Sequence, residues 1–386
     1  MKIIFELIKQ KTSLMALGSL LIFQLVFGIV WLTSYSQVQD KMIDLPVGVV
    51  IENEQLESVI DFESQVDLNI QRFEHLDLAA AALQDKQIYL LIHLTDEFAQ
   101  SVMNPQESPV INYYVNDANP LIVSSVTNRI EATFTSTVND LVKVSNANYV
   151  VEQLNVQDEN KGNIVNVITK GVNSSEARLN EINTFSEQMI PLMMILAAFT
   201  GSMVMAMFMN QSVTNLKTRN CCKWRLYLSW LLINVVCSLF IGLVSSLLVL
   251  ISELSINDFS FFSFWMFQTI TLLTFMLLTS FFVVLFGQLG MAFNIFLLSA
   301  QLVTSGTLVP QLFLTNFYEG LSEFLPATYV AEGIYRILFT DLGVVNEVQS
   351  LVTISGIAIF FIALTISCKA QFEKLKEKKL SKGVAS

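Results

Sequence analysis

Few residues in this chain have the types and spacing that chemistry requires. The two histidines, His75 and His93, flank a predicted helix and have no carboxylate or cysteine cluster near them in sequence, so no metal site is predicted. Adjacent Cys221 and Cys222 lack further ligands at metal-binding spacing, which indicates an inert reduced pair. No nucleophile has a base beside it, and the phosphate-binding pattern G-x-x-x-x-G-K-[ST] does not occur. The sequence therefore predicts neither an enzyme nor a bound cofactor, and any ATP must be hydrolysed by a separate subunit.

The elements that carry the remaining polar residues are membrane spans. Of 386 residues, 53% are hydrophobic and only 14% are charged, which is typical of a polytopic membrane protein. Runs long enough to cross about 30 Å of hydrocarbon occur six times. We place them at Leu14–Ser34, Met189–Met209, Leu226–Ile251, Phe259–Phe286, Leu289–Val309 and Leu351–Ser367. None of the last five contains Asp, Glu, Lys, Arg or His, which argues against a proton- or ion-coupled carrier.

Basic residues predict the orientation of these spans. They concentrate in the N-terminal segment, in the connection between the second and third spans, and in the C-terminal tail. The three groups are Lys2, Lys9 and Lys11; Lys217, Arg219, Lys223 and Arg225; and Lys369, Lys374, Lys376, Lys378, Lys379 and Lys382. With six spans these segments share one side, and the positive-inside rule makes that side the cytoplasm, with both termini cytoplasmic.

The long segment 35–188 between the first two spans is predicted to be an outer α/β domain. It begins with alternating strand-like and helical segments and ends in a long helix with an apolar stripe from Val123 to Val144. Between residues 37 and 188 it carries 23 acidic and 8 basic residues, which argues against nucleic acid as a partner. It contains no cysteine, so it has no disulfide, and a bacterial cell membrane is its simplest location.

Segment 310–338 follows the fifth predicted span and is too polar to cross lipid. Pro310 and Pro326 divide it into two short predicted helices. Phe317 belongs to an apolar face of the first helix, and Glu332 precedes Arg336 by four residues in the second, the favourable order for an ion pair. Irregular backbone at membrane depth needs protein or water to satisfy it, so we predict a re-entrant segment beside a cavity.

The pattern formed by these residues resembles a known family. Ser305-Gly306, Pro310, Phe317, Pro326, Tyr329 and Arg336 are similar to the "SG…P…P…Y…R" region of ABC-2 type exporter permeases. Within that superfamily the chain most resembles the bacterial branch with a large outer domain, including the YhgE/Pip-like proteins.

The resemblance implies a division of the whole chain. A cytoplasmic amphipathic elbow helix at 1–13 would precede a first span at 14–34, a five-helix permease block would occupy 189–369, and 370–386 would form a basic cytoplasmic tail. It also implies a dimer with a second permease copy and a cytoplasmic ABC ATPase that holds ATP and Mg²⁺. The coupling contact would be the basic connection with Lys217, Arg219, Lys223 and Arg225; the alternative is a loop that serves orientation only.

Three amides are candidates for a substrate path. Gln24 lies near the middle of the first span, while Asn294 and Gln301 are seven residues apart and so share one face of the fifth. Hydrogen bonding between helices explains all three equally well. A neutral path with scattered amides would suit a lipophilic or amphipathic molecule better than a compact ion.

Two functions remain open. The first is the permease subunit of an ABC-type exporter for such a molecule. The second is a non-pumping surface protein whose outer domain binds a phage, a cell-wall polymer or a secretion component.

Overall fold

The chain forms two compact units. The computed structural model describes residues 2–35, 44–53, 69–103, 108–116, 119–153, 184–217, 223–251, 258–340 and 342–383, with a few isolated positions besides. A helical unit comprises Met1–Ser36 and Leu179–Ser386, and an α/β unit comprises Gln37–Arg178.

The regular elements follow in chain order. The helices are α1 Lys2–Ile8, α2 Lys11–Tyr35, α3 Leu76–Gln84, α4 Asp96–Met103, α5 Leu121–Gln153, α6 Phe185–Lys217, α7 Lys223–Ile251, α8 Asp258–Phe286, α9 Gly290–Thr304, α10 Asn316–Ser322, α11 Pro326–Phe339 and α12 Val345–Gly383. The strands are β1 Val47–Ile51, β2 Ile70–Phe73, β3 Leu90–Leu94 and β4 Asn112–Val115.

Five helical stretches among the described residues are long and apolar enough to cross a membrane, as expected of a multi-pass membrane protein. They are Lys11–Val30, Phe185–Leu216, Trp224–Ile251, Phe261–Thr304 and Val345–Gln371. The fourth stretch covers most of both the fourth and the fifth predicted spans. Its 44 residues would reach about 66 Å as one straight helix, about twice the hydrocarbon thickness. A 3₁₀ turn at Gly287–Leu289 breaks it instead.

The helices of this unit pack around α6 and α8. Small residues let α2 and α6 approach closely, since a Cβ on Gly201 would lie 2.8 Å from the side chain of Leu20. Phe199 of α6 packs edge-on against Phe275 of α8 with ring centroids 5.4 Å apart.

α8 and α12 run in the same direction. Thr274 and Ser355 join their Oγ atoms at 2.9 Å, and further along both helices the Lys369 ammonium donates to the Val284 carbonyl at 2.7 Å. The N-terminal ends of the two helices therefore lie at one end of the bundle.

The α/β unit is built on a four-stranded sheet of order β2-β1-β3-β4. β1 pairs in parallel with β2 and β3, and β4 is antiparallel to β3. The two central strands are almost continuously apolar and buried because helices cover both faces. One face packs against Ala79, Ala82 and Leu83 of α3, and the other against Phe98 of α4 and Phe134 of α5.

The four strands and the helices α3 and α4 fall within segments that the sequence predicts as strand and helix, whereas α5 extends beyond the predicted stripe to Gln153. Thr95 caps α4, accepting a hydrogen bond from the Phe98 N–H at 3.2 Å. The stripe of α5 differs from the predicted one. Its packed residues follow steps of four, Ile130, Phe134, Val138 and Val142, whereas Val144 is exposed. The reason is that only this face meets the sheet.

Candidate functional site

The candidate path begins in a tight hairpin between α8 and α9. Gly290 lies so close to α8 that a Cβ there would sit 2.3 Å from the Phe282 carbonyl oxygen. The Asn294 side chain donates to the Thr279 carbonyl oxygen at 3.2 Å, and Phe293 stacks on Phe286 with centroids 4.5 Å apart. These contacts fold α9 back along α8 in an antiparallel pair.

Gln301 is fully buried, and neither of its amide atoms has a hydrogen-bond partner among the described residues. Extending the Asn294–Thr279 register along the antiparallel pair brings Gln301 level with Leu272, within a turn of Gln268 and Thr271. Gln268 is also fully buried with both amide atoms unpartnered, and so is the Thr271 hydroxyl. Buried amides normally find partners, so this level of the bundle is a place where a bound molecule or water can supply them.

Gln268 was not among the sequence candidates. Gln268 is an amide side chain inside the predicted fourth span, as Asn294 and Gln301 are inside the fifth. A search for every amide inside a predicted span would therefore have found it.

Gln24 has a structural partner. Its Nε2 donates to Ser245 Oγ of α7 at 2.5 Å, while its Oε1 has no partner among the described residues. Gln24 and Asn294 thus both make hydrogen bonds between helices, the alternative that the sequence left open. Of the three predicted path residues, only Gln301 makes no such bond within the part of the chain that the structure describes.

The backbone after α9 turns sharply at the Ser305-Gly306 pair. Gly306 has a φ of 79°, a left-handed conformation that ends the helix and suits glycine. The Thr304 carbonyl then accepts from the Gln311 side chain at 3.0 Å and from the Thr328 hydroxyl at 3.2 Å. Two protein side chains thus satisfy the Thr304 carbonyl at the end of α9.

Two short helices, α10 and α11, follow this turn, and Pro326 occupies the first turn of α11. α11 is well packed. Gly333 brings its backbone against the buried ring of Phe267, which a Cβ would meet at 2.1 Å. The Tyr335 hydroxyl also donates to the Gln188 carbonyl at the start of α6, at 3.2 Å.

The predicted ion pair of α11 is confirmed, and it has a third member. Arg336 Nε lies 2.8 Å from Glu332 Oε1 and 3.4 Å from Glu347 Oε1 at the start of α12. The Glu347 side chain is only 7% exposed. No sequence signal pointed to Glu347, because the i,i+4 rule does not reach across the break between two helices.

The apolar face of α10 is exposed on this chain. Phe317 is 71% exposed, and the flanking residues Leu312, Phe313 and Phe324 are exposed to a similar extent. We call these four residues the phenylalanine face. A patch of this kind needs lipid or another protein to cover it.

The predicted coupling residues lie at the ends of two helices. Lys217 ends α6 and Lys223 begins α7, with the exposed Arg225 two residues later in the first turn. Arg219 lies outside the described residues. α1 is fixed nearby through fully buried Leu7, and a polar cleft lined by Glu6, Lys9, Lys11, Thr12 and Asn215 separates it from the end of α6.

Among the described residues, His, Cys, Asp and Glu form no group of three that could hold a metal ion. His93 has a carboxylate partner that sequence reasoning missed. Its Nε2 lies 2.9 Å from Glu52 Oε1, which follows the adjacent parallel strand. The Asp96 backbone N–H donates to Glu52 Oε2, and this bond, followed by the one to His93, lowers the pKa of Glu52.

Comparison with known proteins gives one family and one relative. The family described as "ABC-2 family transporter protein" matches residues 11–367. The chain is also 23% identical over 210 residues to a protein of Bacillus subtilis (strain 168) named "Uncharacterized protein YhgE". The match covers 53% of this chain and 26% of that protein, so the chain spans about a quarter of that relative's length. No solved structure matches.

Proposed function

The chain belongs to the ABC-2 family of transporter proteins, and on that premise we propose that it is the membrane subunit of an exporter for a lipophilic or amphipathic molecule. A separate ABC ATPase subunit supplies the energy, and a second permease copy completes the path. The observation that carries the proposal is the pair of short helices that follows α9, within a chain that the family matches almost throughout.

The proposed topology has six crossings, with both termini in the cytoplasm and the α/β unit outside. The α8–α9 hairpin supports counting Phe261–Thr304 as two crossings. The parallel direction of α8 and α12 supports an odd number of crossings between them, here the single crossing of α9. The basic connection between α6 and α7 then lies on the cytoplasmic side with α1 and the C-terminal tail.

The proposed path runs along the neutral face of α9. Gln301 of α9 and Gln268 and Thr271 of α8 are fully buried and offer hydrogen-bonding groups that have no partner among the described residues. Such a surface suits a molecule that is mostly apolar and carries a few neutral polar groups. A compact ion would find no opposite charge there.

The phenylalanine face supports pairing with a second copy. Four large apolar side chains beside the re-entrant turn would be covered in a symmetric dimer in which both copies present the same patch. Neighbouring lipid would cover them in a monomer.

Copurification tests the ATPase partnership. The protein, tagged at the C-terminus and extracted from its native membrane in mild detergent, should bring a stoichiometric ATPase subunit with it. Changing Lys217, Arg219, Lys223 and Arg225 to Gln should release that subunit. The matched control changes Lys374, Lys376, Lys378 and Lys379 of the tail to Gln, which removes the same charge elsewhere on the same proposed side.

Retention of the ATPase by the first variant would place the coupling contact elsewhere. Purification without any ATPase, from membranes whose known ABC complexes survive the same detergent, would contradict the proposal that the protein is part of an ATP-driven exporter. It would favour the surface protein whose α/β unit binds an external partner.

A further inference from the structure

A groove on the surface of the helical unit lies between α7, α8 and α12, away from the α9 face. It is half open and its cavity volume is about 100 Å³. Sites that enclose a whole small molecule hold about 300–1,000 Å³, so this groove takes only part of a larger molecule. Its walls are nearly all apolar. Trp224, Tyr227 and Trp230 line it from α7, Leu277 from α8, and Ile359 and Ile362 from α12.

Three polar atoms on these walls have no hydrogen-bond partner among the described residues. They are Trp230 Nε1, Asn234 Oδ1 and Ser280 Oγ, on side chains that are 3%, 2% and 4% exposed. Other hydroxyls on the same helices, those of Ser229 and Thr279, bond to the carbonyl four residues back. The Ser280 hydroxyl therefore departs from the local pattern.

Unpartnered polar atoms in an apolar groove call for a polar group on the occupant, because a buried donor or acceptor without a partner costs about 1–3 kcal/mol. The Trp230 indole N–H can only donate. Ser280 can donate or accept, and Asn234 can present either its oxygen or its NH₂ by rotation of the amide. A carbonyl oxygen on the occupant would satisfy such donors.

Positive charge marks one end of the groove. Arg225 is exposed and lies one helical turn before the groove residue Leu228. Lys369 lies one turn after Ile366, another lining residue, and its bonds to the Val284 and Leu285 carbonyls fix its ammonium at the end of α8. Trp230 is five residues beyond Arg225, a rise of about 7 Å. From its end towards its middle, the groove therefore presents first positive charge, then the Trp230 N–H donor, and then apolar walls.

We propose that this groove binds an anionic phospholipid of the cytoplasmic leaflet. The phosphate lies beside Arg225 and Lys369, and one segment of an acyl chain lies against the apolar walls. A small shift of the buried Trp230 or Ser280 side chain lets it donate to an ester carbonyl. Assignment to the cytoplasmic leaflet rests on the orientation proposed above. The groove and the proposed transport path share α8 but use different residues of it, since Leu277 and Ser280 line the groove and Gln268 and Thr271 belong to the path.

Tryptophan quenching by bromine-labelled lipid tests the site in the whole protein. The variant Trp31→Phe, Trp224→Phe, Trp265→Phe leaves Trp230 as the single reporter. It is reconstituted in phosphatidylcholine vesicles that contain a small share of brominated phosphatidylglycerol or, in parallel, brominated phosphatidylcholine. We expect several-fold stronger quenching by the phosphatidylglycerol. A second reporter that keeps only Trp265, outside the groove, should show no such preference.

Two further variants separate a built site from ordinary lipid contact. Ala363→Phe fills the groove and should abolish the preference, whereas Leu364→Phe, on the neighbouring lipid-exposed position, should leave it intact. Arg225→Gln changes an exposed side chain, and it should reduce the preference even if Ala363→Phe does not fold. Equal quenching by the two lipids, or a preference unchanged by Arg225→Gln, would overturn the proposal. Neither result depends on ATPase copurification.

Discussion

Gly333 permits a close contact between α11 and Phe267 of α8. A methyl group at this position would lie 2.1 Å from the ring of Phe267, which is buried against the backbone of α11. Overpacking of this kind costs about 1–3 kcal/mol, more than the roughly 1 kcal/mol that alanine gains over glycine in a helix. We expect Gly333→Ala to lower the thermal transition in detergent.

Gly356 provides the control for this prediction. It lies in α12, where a Cβ would meet nothing within 4 Å, so Gly356→Ala should leave the transition unchanged or raise it. Equal effects of the two substitutions would mean that Gly333 does not hold α11 against Phe267.

Glu52 should make the α/β unit sensitive to acid. The bonds from the Asp96 N–H and His93 lower the pKa of Glu52 below its ordinary value of 4.5. A carboxyl whose pKa is lower in the folded state adds stability above its unfolded pKa and loses it as the pH falls through the folded pKa. We expect hydrogen exchange of β1 and β3, corrected for intrinsic rates, to accelerate at pH values below 4.5.

Glu52→Gln isolates this effect. The amide keeps the shape without the charge, so exchange should already be faster at neutral pH and should change less on acidification. Glu74→Gln, an exposed site on the same unit, should behave like the unmodified protein. An acid response that Glu52→Gln leaves intact would assign it to another group.

At the scale of elements, Arg336 joins α11 to α12 rather than merely supporting α11. Glu332 is 53% exposed, and a pair at i,i+4 contributes about 0.3–0.5 kcal/mol. Glu347 is buried, and loss of its cationic partner would leave an unpaired charge at a cost on the order of 3 kcal/mol. We therefore expect Arg336→Gln to lower the thermal transition far more than Glu332→Gln.

The double variant Arg336→Gln, Glu347→Gln completes the test of this pair. Replacing both charges removes the unpaired carboxylate, so the double variant should recover much of the stability lost by Arg336→Gln. Additive losses would show that Arg336 and Glu347 do not act together.

Elements were predictable from sequence where their signal is local. The buried strands β1 and β3, the Thr95 cap and the prolines that bound α10 and α11 all act within a few residues. The family resemblance drawn from Ser305 to Arg336 is confirmed by the family match. The partners of His93 and Arg336 were missed because strand pairing and helix docking bring them together, and neither leaves a trace in residue spacing. The groove between α7, α8 and α12 was missed for the same reason.

At the scale of the whole molecule, the proposed topology makes a prediction that does not depend on the substrate or the ATPase. It places α1 in the cytoplasm and α10 outside. Lys9 of the α1 segment and Glu319 of α10 are both exposed and polar, so a cysteine at either position should react with a water-soluble maleimide on its own side. In a background without the four native cysteines, we expect Glu319→Cys to be labelled by a membrane-impermeant maleimide in intact cells. Lys9→Cys should be labelled only after lysis, because the bilayer excludes the reagent from the cytoplasm. Labelling of both in intact cells would place α1 and α10 on the same side of the membrane. The number of crossings between them would then be even, and the proposed topology, which has five, would be wrong. The reverse labelling pattern would keep six crossings but invert the orientation of the protein in the membrane, contrary to the positions of its basic residues.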